Sequence, residues 1–296
     1  MRTLPRFTKR FRLSILLGLL IVVALIFVGR RLNATKRGGQ GPADPFRIAG
    51  NFYYVGATDV SAFLITGPEG HIVIDGGYPS TAPMIMASIA KLGFNIKDVK
   101  VLLNSEPHPD HGGGLVVLQK ASGAKLFASE ASAYSLAHGG DDPDIVLPMR
   151  LLLRLGIVGY PSARVDHVFK DGDTIRVGPL ALTAHITGGH TRGCTSWSFP
   201  VHDNGRVLNV VSACDLEPLG TSQYPEQKDD IERSIRLLRS LPADIWVTCH
   251  ARWWGRYRKF VASRTAKDPV QPFIDTAGYR AYLDSAEARF HRGVMH

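Results

Sequence analysis

The chain has 296 residues, 45% of them hydrophobic, which allows a single large domain with a sizeable core. Its formal charge of +9 would suggest a polyanionic partner, but residues 1–37 hold nine Lys/Arg and no acid, leaving 26 basic and 26 acidic residues elsewhere. The body of the chain is electrically balanced, which excludes the broad basic footprint of a nucleic-acid binder.

The basic segment 1–12 leads into an apolar run of 17 residues, Leu13 to Gly29, with Arg30 and Arg31 behind it. A cleaved export signal has an apolar core of about 7–15 residues and a small-x-small cleavage site. A membrane-spanning helix needs about 17–25 residues. The run falls between the two, and Leu32-Asn33-Ala34 puts a large residue where cleavage prefers a small one. An uncleaved anchor is favoured over a cleaved signal. Both readings export the domain, placing it in the periplasm, with the inner membrane as a partner of residues 13–29. Residues 30–45, polar with Gly and Pro, read as a linker, and the folded domain is expected over 46–296.

Short strands are expected at Phe52–Val55, Ala62–Thr66 and His71–Ile74, with Gly67-Pro68-Glu69-Gly70 turning between the last two. A helix follows, capped at Ser80 or Thr81 and stopped at Gly93, its apolar face being Met84, Ile85, Ile89 and Leu92. Val99–Asn104 reads as a buried strand, Leu115–Gln119 as the start of a helix, and Lys125–Ala128 as a strand. The segment Ile145–Val158 is apolar with Arg150 and Arg154. A helix packed on the core is the favoured reading, with a substrate-facing flap or a membrane contact as alternatives. Further strands are expected at Val165–Phe169, Thr174–Val177, Leu180–Ile186, Thr195–Phe199, Arg206–Ser212 and Ile245–Thr248, and helices at Ile231–Leu241 and Phe273–Ala288. The pattern supports a mixed α/β domain of two comparable halves.

Three cysteines, Cys194, Cys214 and Cys249, are an odd number for an exported protein, so at least one is free or paired externally. A Cys214–Cys249 disulfide is one option, and small buried thiols filling core space are the favoured one.

The densest chemistry lies in Glu106-Pro107-His108-Pro109-Asp110-His111-Gly112. Imidazole and carboxylate are ligands that zinc takes at about 2.0–2.2 Å. Alternate positions on an extended loop point the same way, so one loop can serve two adjacent ions. This run resembles the H-x-H-x-D-H motif of metallo-β-lactamase-fold hydrolases, with Glu106 in place of the first His. Subclass B3 metallo-β-lactamases are the most similar, through Asn51-Phe52-Tyr53-Tyr54-Val55-Gly56, Ile72-Val73-Ile74-Asp75-Gly76-Gly77, Thr187-Gly188-Gly189-His190-Thr191 and Thr248-Cys249-His250. The resemblance implies an αββα sandwich of two mixed sheets face to face with helices outside.

It also implies two zinc ions. Glu106, His108 and His190 would hold the first, and Asp110, His111 and His250 the second. Two such ions about 3.5–4 Å apart share a hydroxide that attacks an amide carbonyl, with Asp110 orienting the water. Where subclass B3 carries a small hydroxyl residue, this chain has Asp215 or, one place earlier, Cys214; a further ligand of the second ion is one option there, and a carboxylate accepting from bound water is the other. Asp75 would support the metal loop by hydrogen bonds, Thr191 would donate to a ligand carboxylate, and Glu217 would sit at the substrate pocket. The implied protein is a monomeric, zinc-dependent hydrolase of a small molecule, with a β-lactam as the leading substrate. The alternatives are another hydrolase on this scaffold, for an ester, lactone, thioester or phosphodiester, and a membrane-tethered zinc-binding protein of weak turnover. Glutathione-thioester hydrolases of this fold usually keep the first His, which Glu106 replaces.

Overall fold

Strict alternation of side chains across short β-strands builds the molecule. A computed structural model describes residues 39–155, 157–218 and 223–294. The segments 1–12 and 13–29 and most of the linker lie outside the described residues. Among the described residues no helix is long and apolar enough to cross a membrane.

The first sheet has seven strands in sequential order: β1 (Phe46–Ala49), β2 (Phe52–Tyr54), β3 (Phe63–Ile65), β4 (His71–Ile74), β5 (Val99–Leu103), β6 (Lys125–Ser129) and β7 (His167–Phe169). Pairing is antiparallel up to β4 and parallel from β4 to β7. The second sheet has five strands: β8 (Thr174–Val177), β9 (Leu180–Ile186), β10 (Thr195–Asp203), β11 (Arg206–Ala213) and β12 (Ile245–Thr248), antiparallel except for the parallel pair β11–β12.

The period-two pattern separates two cores. Phe63 and Ile65 on β3 point toward the second sheet, meeting Phe52, Trp197 and Phe199. Phe52 and Phe199 cross edge-on at 5.2 Å. Leu64, between them, faces outward with Val73 and Leu102 onto Ile85, Ile89 and Leu118. Those three residues lie on helices α1 (Ala82–Lys91) and α2 (Leu115–Ser122). Helices α3 (Glu130–Ala137) and α4 (Leu147–Arg154) follow in the same half. The second half carries α5 (Gln227–Ser240), α6 (Ala251–Trp254), α7 (Arg256–Ser263) and α8 (Thr276–Val294). Trp246 of β12 stacks on Tyr282 of α8 with 5.1 Å between ring centres. The result is the αββα sandwich.

Several elements differ from the sequence reading. β1 lies outside the expected strands because a bulge between Arg47 and Ala49 breaks its alternation. β10 runs past Pro200 to Asp203. Its pairing with β9 ends at Ser198, so the N–H that Pro200 lacks has no partner to lose on that side. α3 is started by Ser129, whose hydroxyl accepts from the Ser132 amide.

The favoured core-packed helix over 145–158 is overturned: α4 buries none of its residues, and Leu147, Leu151, Leu155 and Ile157 are exposed.

The cysteine expectation is also corrected. Cys194 and Cys214 form a disulfide, with Cα atoms 5.9 Å apart, and Cys249 is a buried free thiol. The antiparallel register that sets Trp197 opposite Ser212 carries Cys194 to the end of β11, beside Cys214. The parallel register of Ala213 with Thr248 brings Cys249 alongside. Both thiols are therefore neighbours of Cys214, and the hairpin partner takes it. Burial pushes the Cys249 thiol well above its ordinary range, so it packs as an uncharged group.

Candidate metal centre

The C-terminal ends of β4, β5, β9, β11 and β12 open onto one edge of the sandwich. The loop after β5 turns tightly, with the His111 and Gly112 amides both donating to the His108 carbonyl at 3.0 and 2.8 Å. Asp75, just after β4, holds this loop from beneath. Its Oδ1 accepts from the Ser105 amide at 2.8 Å, and its Oδ2 is 3.5 Å from His111 Nδ1. Asp75 does this from a left-handed backbone, φ 64°. The next residue must be glycine, because a Cβ on Gly76 would stand 2.5 Å from the Leu115 amide nitrogen. The loops after β9, β11 and β12 bring His190, Asp215 and His250 to the same edge.

Two triads converge there. The side-chain donors of Glu106, His108 and His190 lie within 4.8 Å of one another, and so do those of Asp110, His111 and His250. In each triad two imidazoles stand nearly perpendicular: His108 and His190 at 89°, His111 and His250 at 86°. That arrangement lets two ring nitrogens aim at one point. Glu106 joins the triads. Its Oε2 is 2.6 Å from His108 Nδ1 and 3.1 Å from His190 Nε2, and its Oε1 is 3.3 Å from His111 Nε2. Asp110 Oδ2 lies 3.4 Å from His111 Nε2 and 3.7 Å from His250 Nε2. Glu106 and His111 are buried, while His108, Asp110 and His250 form the half-buried edge facing solvent.

Burial alone would raise the Glu106 carboxyl, but the imidazoles of His190, His108 and His111 hold it well below the usual carboxylate range. Asp110 is lowered in the same way, burial being overcome by His111. Burial would lower His111, yet Asp110 and Glu106 raise it well above its ordinary value. His190, likewise buried, is pushed up to about 9 by Glu106. Without a metal, then, carboxylates and protonated imidazoles neutralise one another.

Whether these residues fit a metal can be read from their unsatisfied atoms. Glu106 Oε1 and His111 Nε2 are buried with no hydrogen-bond partner among the described residues. Orphaned buried donors and acceptors are costly, and a divalent cation in each triad would satisfy Glu106 in one and His111 in the other. The donors are imidazole nitrogen and carboxylate oxygen throughout, as zinc-type ions require.

The surrounding residues orient the candidate ligands. His190 Nδ1 donates to the Glu217 carbonyl, which keeps a proton on Nδ1 and leaves Nε2 as the nitrogen that would bind a metal once its own proton is displaced. Glu217, expected at the substrate pocket, contributes that carbonyl and turns its carboxylate to Arg289, 2.6 Å away. Thr191, expected to donate to a ligand carboxylate, is buried, and its hydroxyl has no partner among the described residues. Cys214 is taken by the disulfide, so Asp215 faces the centre, its Oδ2 3.4 Å from His250 Nε2.

Asp59 escaped the sequence reading. It lies in the turn between β2 and β3, with Oδ2 3.3 Å from His250 Nδ1, and Oδ1 accepts from the Arg252 amide at 2.9 Å. The Arg252 guanidinium pairs with the same carboxylate. A lone Asp in a Thr-Asp turn carries no local signal; only the β12 loop brings it to His250. Asp59 behaves as the acid that orients a ligand imidazole from behind. Asp59→Ala is expected to lower metal affinity of the Asp110–His111–His250 triad by about 10- to 100-fold, leaving the other triad filled. Chelator competition on the variant measures this, and unchanged affinity would remove Asp59 from the centre.

Comparison with known proteins agrees with this geometry. Residues 55–204 match the model of the metallo-β-lactamase superfamily. The metallo-β-lactamase FEZ-1 of Legionella gormanii superposes with a TM-score of 0.78 at 32% identity, over 86% of this chain and 97% of that one. BJP-1, a subclass B3 metallo-β-lactamase of Bradyrhizobium japonicum, gives 0.79 at 28% identity, over 88% and 97%. A hydroxyacylglutathione hydrolase of Jannaschia sp. (strain CCS1) is 28% identical over 185 residues, 62% of this chain. The match spans only 59% of that curated relative's length. With the motif loop, the two facing sheets and the converging triads in one arrangement, the chain belongs to the metallo-β-lactamase superfamily.

Proposed function

We propose that the protein is an exported hydrolase that uses two zinc ions to open the amide of β-lactams. The observation that carries this reading is the pair of triads, Glu106–His108–His190 and Asp110–His111–His250, side by side at one edge of the sandwich. Zinc, when bound there, lowers the pKa of water and stabilises charge that develops on a carbonyl oxygen. The chain's own residues do the rest. His190 is locked by the Glu217 carbonyl and His250 is backed by Asp59, so both rings are oriented before substrate arrives. Asp110 stands between His111 and His250 on the solvent side, placed to hold and orient the attacking water and to receive its proton. Asp215 adds a carboxylate beside His250, where it would help to hold the second ion or accept from water bound to it.

Structural likeness to enzymes named as β-lactamases, over nearly their whole length, supports the substrate class. The second reading, a thioester hydrolase, is favoured by the hydroxyacylglutathione hydrolases among the sequence relatives. Reading Leu13–Gly29 as an export signal or anchor would put the substrate outside the cytoplasm, which favours the first. Zinc-loaded protein is expected to hydrolyse a chromogenic cephalosporin, to lose that activity to a chelator, and to leave S-lactoylglutathione intact. Thioester cleavage without cephalosporin cleavage would establish the second reading, and activity untouched by chelation would overturn both.

A further inference from the structure

None of the residues of helix α4 is buried, and it carries an exposed apolar face. Leu147, Leu151, Leu155 and Ile157 are 77%, 55%, 63% and 60% exposed. They are four of the nine exposed large hydrophobic residues among those described, gathered in one short stretch. The helix's arginines do not mask them: Arg150 and Arg154 fold back onto Asp141 at 2.6 and 3.1 Å. A concentrated apolar patch on a soluble-looking surface calls for an occupant.

Its position suggests which one. The base of α4 is pinned to the metal centre. Tyr160 donates its amide to the Gly139 carbonyl at 3.2 Å and its hydroxyl to the carbonyl of Pro107, beside His108. Asp144 pairs with Arg192, two residues after His190, at 2.9 Å. The chain enters the fold at the other side of the same centre. The Gly39 carbonyl accepts from the Asp59 amide at 3.0 Å, and Asp59 touches His250. Between Gly29 and Gly39 stand nine residues, which span at most about 30 Å when fully extended. A domain of this size has a radius of gyration of about 18 Å. A tether that short, attached beside the metal centre, keeps that face of the domain near the bilayer and the opposite face far from it. Tethering also raises the effective concentration of α4 at the lipid, so even a weak apolar contact is populated.

We propose that α4, with Leu155 and Ile157, is a bilayer-contacting surface that turns the metal centre toward the membrane to which residues 13–29 tether the chain. The inference rests on the reading of Leu13–Gly29 as a retained anchor. A consequence is that amphiphilic substrates partitioning into the lipid surface reach the centre directly.

The test uses the full chain in vesicles of phosphatidylethanolamine and phosphatidylglycerol. A fluorophore is attached at Leu151→Cys or, as a control, at Val207→Cys. Val207 is 57% exposed and lies at the end of β11 remote from Asp215. The native cysteines do not compete, being disulfide-bonded or buried. Nitroxide-labelled lipid is expected to quench the Leu151 probe at least twofold and to leave the Val207 probe unchanged. Adding Leu147→Asp and Leu155→Asp, both at exposed positions, should abolish that quenching. Equal, weak quenching at both sites in vesicle-bound protein would overturn the proposal. So would contact of the Leu151 probe with a second copy of the chain, seen by cross-linking. Failure of the full chain to float with the vesicles would instead overturn the anchor reading, and the proposal with it.

Discussion

Glu106→Ala is expected to reduce bound zinc from two ions per chain to about one and to lower kcat/KM at least about 100-fold. The carboxylate is wholly buried and lies within 3.3 Å of three imidazoles. Its removal leaves His108 and His190 as the only donors of their triad, too few for a stable zinc site. It also withdraws the anion that balances His111. Glu106→His separates ligation from charge. A carboxylate adds negative charge to the ion's surroundings, so water there ionises less readily than beside a neutral imidazole. Zinc also binds imidazole well among nitrogen ligands. Glu106→His should therefore tighten the first ion and move the activity profile to lower pH. Metal analysis after gel filtration reads the stoichiometry, and thermal unfolding confirms that each variant is folded. Glu106→Ala with wild-type zinc content and rate would show that Glu106 is not a ligand.

Metal-free protein is expected to lose stability as the solution is made alkaline. His190 is pushed from 6.5 up to about 9, chiefly by Glu106 working against burial. A raised folded-state pKa gives stability that is fully present below the unfolded value of 6.5 and disappears as pH rises through about 9. A shift of that size amounts to about 3 kcal/mol, or a fall in Tm of roughly 10 °C for a domain of this length. Glu106 carries the opposite sign. Its lowered pKa gives stability present above 4.5 and lost as pH falls below it. The metal-free form is thus most stable between about pH 4.5 and 6.5. Metal requires neutral imidazole, so binding at pH 7 displaces protons. Titration calorimetry in buffers of different ionisation enthalpy should detect their release. In zinc-loaded protein the alkaline loss of Tm should vanish. A metal-free Tm that stays flat from pH 6.5 to 9 would contradict this electrostatic picture.

The parts of this centre differ in how far the sequence reveals them. His108, Asp110 and His111 share one short loop, so spacing alone groups them. His190 follows the Thr187-Gly188-Gly189 turn after one apolar strand, and His250 closes another, where a buried imidazole would otherwise be left unsatisfied. The sheets were legible because short alternating runs such as Phe63-Leu64-Ile65 sort their side chains between two cores. Contacts set by strand register were not legible. The choice of Cys194 over Cys249 as partner for Cys214 depends on which neighbour the β10–β11 hairpin presents. Asp59 reaches His250 only because the β2–β3 turn meets the loop after β12. For Ile145–Val158, helical periodicity identifies an apolar face but does not say what lies against it. In the structure none of its helical residues is buried, and Leu147 and Leu151 are exposed.

A dinuclear centre in which Glu106 stands as a ligand in place of histidine can be observed directly. Anomalous diffraction at the zinc absorption edge, from crystals of the protein purified with zinc, tests it most directly. Two peaks about 3.5–4 Å apart are expected, one bonded by Glu106, His108 and His190 and the other by Asp110, His111 and His250. A single peak, or a first peak from which Glu106 stands away, would contradict it.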